Sequence, residues 1–142
     1  MQKSIWIILG GVFIALAIIA FSSGCFGLCV SSNRVIIKTL SPSEFVSLWN
    51  QTKDTATLID VRTPEEYMSG HYKNAQNLNF YDELNFKNAL NKMDKNKRYL
   101  IYCRSGHRSG LTLKLMKKLG FKEVYDLSGG ISRAGDIIPI VK

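Results

Sequence analysis

The sequence predicts an α/β domain in which a mainly parallel sheet is flanked by helices on both faces, preceded by an N-terminal hydrophobic helix. From Arg34 onward, short apolar runs alternate with stretches of helical periodicity, which is typical of a parallel sheet with crossover helices. Two runs, ATLIDV at 56–61 and RYLIYC at 98–103, are nearly uninterrupted, as expected of strands buried on both faces. The first 33 residues carry a single charged side chain, that of Lys3.

Residues 1–33 are predicted to be a membrane segment and residues 34–142 the folded domain. The run from Ile5 to Phe21 contains 17 residues, which is long for the apolar core of a cleavable signal peptide. An uncleaved anchor or signal-anchor is therefore expected, with the domain on the extracytoplasmic side. The alternative is a lipoprotein signal, because small residues in SSGC precede Cys25. Both interpretations make the membrane a partner of the N-terminal segment.

The first half of the domain predicts two strands and two helices. RVIIKTL is the first strand, and a helix follows in SPSEFVSLWNQ, where Ser41 and Glu44 fit the N-terminal capping box and Pro42 the first helical position. ATLIDV is the second strand. TPEEYMSG predicts a short helix, and Arg62 just before it is expected to pair with Glu65 or Glu66.

The second half continues the alternation. AQNLNF is a weak strand candidate, and DELNFKNALNKM is an amphipathic helix with Leu84 among its apolar positions. The strand RYLIYC precedes the helix HRSGLTLKLMKKLG, whose leucines 111, 115 and 119 are expected to form its core stripe. EVYDL is the last strand predicted, and a glycine turn follows it.

Composition and charge narrow the possible partners. The 142 residues are 46% hydrophobic and 21% charged, which indicates a globular chain and not a disordered one. The formal net charge is +8, which favours anionic ligands. The lysines are scattered and no nucleic-acid motif is present, so no nucleic acid is expected as a partner. Cysteine and histidine spacing fits no zinc site, and neither metal nor cofactor is expected.

The loop after RYLIYC carries the candidate chemistry. Cys103 is the only cysteine of the domain and lies between a strand and a helix. Its reactive form is the thiolate, which the N-terminus of the helix and the side chains of Arg104 and Arg108 would favour. The segment between them, Ser105, Gly106 and His107, completes a candidate anion-binding loop. Only four residues separate Cys103 from Arg108, which predicts a narrow cradle.

These segments resemble the rhodanese family. LIDVRTPEEYMSGH at 58–71 is similar to the strand–turn–helix signature of the family, YCRSGHRS at 102–109 to its active-site loop, and LSGGI at 127–131 to its late glycine turn. The resemblance implies a rhodanese-like fold with a central five-stranded, mainly parallel sheet. It also implies Cys103 as the nucleophile that carries a persulfide, with residues 104–108 as the cradle. The chain departs from the family at GHYKNAQNLN and GGISRAGD.

The resemblance implies a thiosulfate sulfurtransferase. Cys103 would take a sulfane sulfur from a small anionic donor such as thiosulfate. With no second cysteine in the domain, the acceptor would be an external thiol, cyanide or a protein. One alternative is a non-catalytic sulfur carrier or protein-binding module at the membrane. Another is a cysteine-dependent phosphatase or arsenate reductase, although the phosphatase loop has one more residue.

Overall fold

A computed structural model describes residues 34–142, and the predicted membrane segment at 1–33 lies outside the described residues. Within the described range, no helix combines the length and the apolarity needed to cross a bilayer. Seven strands and five helices are described, in the order β1 Ile36–Leu40, α1 Pro42–Thr52, β2 Ala56–Asp60, α2 Pro64–Met68, β3 His71–Tyr72, β4 Gln76–Asn77, α3 Glu83–Lys92, β5 Arg98–Tyr102, α4 His107–Lys118, β6 Glu123–Leu127, α5 Gly130–Ala134 and β7 Ile140–Val141.

Five of the strands form one sheet in the order β1-β6-β5-β2-β4, and every pairing in it is parallel. The predicted five-stranded parallel sheet is therefore confirmed. β3 and β7 form a separate antiparallel pair, which joins His71 to Val141. The two-residue strands β3 and β7 are too short to show a period of two in the sequence, and neither was predicted.

Apolar cores on the two faces of the sheet confirm that helices cover both. On one face, Phe45 and Trp49 of α1 pack in the same cluster as Leu58 and Leu100. On the other face, Phe86 of α3 and Met116 of α4 pack in the cluster that holds Ile59, Ile101 and Cys103. Alternate residues of β2 and β5 thus point to opposite cores, as strand geometry requires. For this reason, the amino-acid sequences of such strands are continuous apolar runs.

Helix N-termini are set by local sequence. The capping box predicted at α1 is present: the Glu44 N–H donates to Ser41 Oγ at 3.4 Å, and the Ser41 N–H donates to Glu44 Oε2 at 2.9 Å. A second capping box starts α2, where the Thr63 N–H donates to Glu66 Oε2 at 3.1 Å. Each box satisfies N–H groups that a helix leaves unpaired at its start. The second one also fixes the position of Glu66.

Candidate functional site

Cys103 directly follows β5, at the carboxyl edge of the sheet, where parallel sheets bind ligands. The residue is completely buried. The Gly106 N–H donates to its Sγ at 3.1 Å, and the Ser109 hydroxyl lies 3.5 Å from the same atom. Donors directed at sulfur stabilise a negative charge on it more than they stabilise the neutral thiol. The geometry therefore suits an anionic sulfur at the position that the sequence predicted for it.

The loop backbone is held by the start of α5. The carbonyl oxygens of Cys103 and Arg104 accept hydrogen bonds from the N–H groups of Ile131 and Ser132, at 2.9 and 3.0 Å. These bonds turn two loop carbonyls toward α5. Gly106 ends the loop with a positive φ of 89°, immediately before α4 begins, and its own N–H points to the sulfur. The backbone thus adopts the inward-facing N–H geometry expected of an anion-binding loop at this one position.

Four of the predicted loop residues surround a cavity of about 400 Å³. Arg104, Ser105, His107 and Arg108 contribute side chains to its wall, and Arg104, Ser105 and His107 are exposed to solvent. Cys103 and Gly106 do not line the cavity. The remaining wall is formed by Thr63, Glu66 and Tyr81. The structure therefore brings the predicted residues together, with the sulfur buried, Arg108 largely covered, and Arg104 and His107 at the surface.

Arg108 is held in place by Glu66. Its guanidinium nitrogens Nη1 and Nη2 donate to Glu66 Oε2 and Oε1 at 2.6 and 2.8 Å, which is a bidentate ion pair. The guanidinium carbon lies 5.4 Å from the centre of the Tyr81 ring, within cation–π range. The hydrogen bond from Arg108 lowers the pKa of Glu66 to about 2, and the same bond raises the pKa of Arg108.

Arg62 pairs with a different carboxylate from the one expected. Its Nη2 atom lies 2.6 Å from Asp60 Oδ2, and both side chains are buried. The prediction of a pair with Glu65 or Glu66 was wrong because Glu66 is already occupied by the helix cap and by Arg108. Asp60 ends β2, and its carboxylate also accepts the Arg62 N–H at 2.9 Å. This pair is a structural feature next to the candidate site.

Replacing Glu66 by Gln is expected to lower the free energy of unfolding at pH 7 by about 1–2 kcal/mol, because one partner of a partly buried ion pair is lost. The pKa of Glu66 is lower in the folded than in the unfolded chain, so its contribution is present above about pH 4.5 and is lost as the pH falls toward 2. Urea unfolding at pH 7 and pH 3 measures this difference, which should shrink at pH 3.

The matched control is Glu65→Gln, since Glu65 is exposed on the same helix. It should change the unfolding free energy by less than about 0.5 kcal/mol. Equal losses for Glu65→Gln and Glu66→Gln, or a Glu66→Gln loss that does not depend on pH, would contradict the role given to the ion pair.

Sequence reasoning missed three residues of the cavity wall, Thr63, Glu66 and Tyr81. A signal for Glu66 was present, because a Glu three residues after Thr63 completes a capping box. No local pattern indicates that the Glu66 carboxylate also accepts hydrogen bonds from Arg108, which lies 42 positions later in the sequence. Tyr81 lies in the connection before α3, which has no periodicity, and its place at the cavity depends on the packing of the whole sheet.

Comparison with known proteins identifies the domain. A family model described as the rhodanese-like domain matches residues 41–134. A Bacillus subtilis protein named "Uncharacterized protein YqhL" is 34% identical over 107 residues, which cover 75% of this chain and 79% of that protein. The tRNA uridine(34) hydroxylase of Pelagibacter ubique is 36% identical over 105 residues, covering 74% of this chain and 34% of the enzyme. The chain thus spans about a third of the length of that hydroxylase.

Solved structures agree on the fold. A rhodanese-related protein from Thermoplasma volcanium superimposes with a TM-score of 0.59 at 25% identity, covering 73% of this chain and 97% of that one. A rhodanese-like domain protein from Staphylococcus aureus gives the same TM-score at 27% identity, with coverage of 70% and 92%. The rhodanese-like fold predicted for the folded domain is therefore confirmed by the family model and by the solved structures.

Two predictions about function require correction. The prediction of a thiosulfate sulfurtransferase is wrong, because named relatives are tRNA uridine(34) hydroxylases. The prediction that nucleic acid is not a partner is wrong for the same reason, and nothing in the comparisons supports a small anionic sulfur donor. The physical reason for the error is that a cysteine in an anion-binding loop serves any reaction that needs a thiolate, so the loop alone does not specify the substrate.

Proposed function

Because this chain belongs to the rhodanese-like domain family, and named relatives act on tRNA, we propose that its domain takes part in the hydroxylation of uridine 34 of a tRNA. Cys103 is proposed as the reacting residue, and the cavity formed with Arg104 and Tyr81 as the RNA-binding pocket. The observation that carries the proposal is the position of a basic and aromatic cavity directly outside a cysteine loop.

Charge supports an RNA partner. Residues 34–142 contain 18 Lys and Arg against 11 Asp and Glu, which is a net charge of +7. Arg104 and His107 are exposed at the cavity, and arginine is a common ligand of phosphate oxygens. A basic surface of this kind attracts the RNA backbone without reading its sequence. Recognition of the nucleotide sequence of the RNA depends instead on contacts to its bases.

Tyr81 supports recognition of an unpaired base. It is 67% exposed although it is a large aromatic residue, and its ring lines the cavity next to Arg108. Proteins that recognise single-stranded RNA commonly stack aromatic side chains on bases that have left the helical stack. The cavity volume of about 400 Å³ falls in the range of pockets that hold small ligands, which suits one nucleotide.

Cys103 supports a covalent role, because cysteine sulfur is an intrinsically strong nucleophile and its Sγ lies at the centre of the loop, where it accepts the Gly106 N–H. Since the sulfur is fully buried, reaction with a base requires the loop or the side chains over it to move. Hydroxylation also adds an oxygen atom, so an oxidant must bind together with the tRNA. The described residues supply the cysteine and the pocket for that reaction.

Replacing Tyr81 by Ala is expected to weaken the binding of an anticodon stem-loop that contains uridine 34 by about tenfold, because stacking on one base contributes roughly 1–3 kcal/mol. Tyr81→Phe keeps the ring and should bind within about twofold of the original chain. Fluorescence anisotropy at fixed salt concentration measures all three dissociation constants.

The control is Leu84→Ala, since Leu84 is also an exposed apolar residue but does not line the cavity. It should leave the affinity unchanged. If the stem-loop does not bind the original chain, or if Tyr81→Ala and Leu84→Ala have equal effects, the assignment of the cavity to RNA is wrong.

A further inference from the structure

Basic side chains that are far apart in the sequence are gathered at one edge of the sheet. Strands β1, β2, β5 and β6 are parallel and start at the same edge, here called the amino edge, which is opposite the cysteine loop. The connections that enter these strands carry Arg34, Lys53, Lys95, Lys97 and Lys122. The last turns of α3 and α4 add Lys92, Lys117 and Lys118.

The amino edge holds almost all of the net charge of the domain. Its connections and last helical turns contain eight Lys and Arg against two carboxylates, those of Asp54 and Asp94, which is a net charge of +6. The net charge of residues 34–142 is +7, so the rest of the domain, including the cavity, is close to neutral. A polyanion is therefore attracted mainly to the amino edge.

The exposed face of α4 connects the cavity with the amino edge. His107, Leu111, Lys114 and Lys118 follow one another at spacings of three or four residues, so they lie on one face of the helix. All four are exposed. His107, at the start of the helix, also lines the cavity, and Lys118, at its end, belongs to the amino edge. These four residues are called the α4 stripe.

The lysines of the α4 stripe are available to a ligand. Neither Lys114 nor Lys118 forms an ion pair with another residue of the range 34–142, and residues 107–118 contain no Asp or Glu. A lysine in the last turn of a helix stabilises the helix dipole, which explains Lys117 and Lys118 without a ligand. Lys114 lies before that last turn, so its charge calls for an anionic partner outside the domain.

We propose that the α4 stripe and the amino edge bind the sugar–phosphate backbone of a base-paired RNA stem, next to the unpaired nucleotide in the cavity. At about 1.5 Å per residue, the stripe is about 16 Å long. One strand of a DNA duplex carries a phosphate every ~3.4 Å, and at a comparable spacing in RNA the stripe follows about five phosphates. A membrane surface fits less well, because it needs apolar side chains beside the basic ones, and the stripe offers only Leu111.

The inference rests on the proposed function for the choice of RNA as the partner, but its test does not use the cavity. The probe is an RNA hairpin with a fully paired stem and a loop that contains no uridine. Because contacts to the backbone carry no sequence information, this hairpin should bind the full chain. Tyr81→Ala should leave its affinity for the hairpin within about twofold, since base stacking is not involved.

Replacing Lys114 and Lys118 together by Gln should weaken hairpin binding about tenfold, because each lost phosphate contact releases fewer counterions. The slope of log affinity against log salt concentration should become shallower by about 2, or about 1 for each lysine. Fluorescence anisotropy over a series of KCl concentrations measures both quantities. The matched control replaces Lys38 and Lys73 by Gln, which removes two exposed charges outside α4 and the amino edge. It should change the affinity by less than about twofold, since distant charges are screened by salt.

A hairpin that does not bind the original chain, or equal losses in the stripe variant and the control variant, would overturn the proposal. Vesicles of anionic phospholipid test the other possible partner. If the stripe variant loses binding to these vesicles but keeps its affinity for the hairpin, the α4 stripe is a membrane-binding face and the proposal is wrong. Hairpin binding that depends on the stripe, together with stem-loop binding that ignores Tyr81→Ala, would support the stripe and refute the assignment of the cavity.

Discussion

Gly130→Ala is expected to lower the free energy of unfolding by more than about 4 kcal/mol. An added Cβ at this position would lie 2.4 Å from the carbonyl oxygen of Cys103 and 2.5 Å from that of Arg104. Both are backbone atoms held by hydrogen bonds from the start of α5, so they cannot move without displacing the loop. The backbone of Gly130 also has a φ of 61°, which an L-amino acid adopts at a cost. Urea unfolding monitored by tryptophan fluorescence measures the loss.

Gly120→Ala separates these two causes. Gly120 has a φ of 83°, but no atom lies within 4 Å of its added Cβ. It should cost about 1–2 kcal/mol from backbone strain alone. If Gly130→Ala and Gly120→Ala cost the same, the close packing of the glycine turn on the cysteine loop does not contribute to stability.

Cys103→Ser is expected to reduce the proposed hydroxylation of uridine 34 at least a hundredfold. A serine hydroxyl is not ionised at neutral pH and is a much weaker nucleophile than a thiolate. The substitution changes one atom in a buried site, so the far-UV circular dichroism spectrum should stay the same. The readout is the modified nucleoside, quantified by mass spectrometry after digestion of the tRNA.

The matched control carries the same substitution at both of the other cysteines, Cys25 and Cys29, which lie outside the described residues. Hydroxylation by this double variant should remain within about twofold of the original chain. Full activity of Cys103→Ser would contradict a covalent role for Cys103.

Sequence patterns predicted the sheet well because its strands have buried surfaces on both sides. The apolar runs of β2 and β5 and the capping box of α1 are local signals, and each corresponds to an observed element. The position of Cys103 between a strand and a helix also follows from such patterns. Local signals therefore placed the candidate nucleophile without any knowledge of tertiary contacts.

Helix faces were predicted less well. Leu111, Leu115 and Leu119 were expected to form the core stripe of α4. Leu115 and Leu119 are partly buried against the core, but Leu111 is 40% exposed, and the fully buried positions of α4 are Ser109, Thr112 and Met116. On α3, Leu84 is 72% exposed while Phe86 is buried. The helical pattern misplaced Leu111 because the inner face of α4 begins with small polar residues, such as Ser109, next to Cys103. This inner face of α4 contributes residues both to the candidate site and to the apolar core.

The polar partners of the site could not be predicted, because they come from distant parts of the sequence. The bond between Arg108 and Glu66 and the contact of Asp126 with Thr39 both depend on the order of strands in the sheet. The substrate class proposed above was not predicted for a related reason. An anion-binding cysteine loop fits several reactions, and the surrounding cavity wall becomes visible only when the chain is folded.

Incubation of the chain with unmodified tRNA and an oxidant, followed by mass spectrometry of the nucleoside at position 34, tests the central claim most directly. The account predicts that uridine 34 gains one oxygen atom with the original chain and not with Cys103→Ser. It also predicts that Tyr81→Ala lowers the yield at low tRNA concentration. A uridine 34 that stays unmodified under all conditions, or one that gains sulfur in place of oxygen, would contradict it.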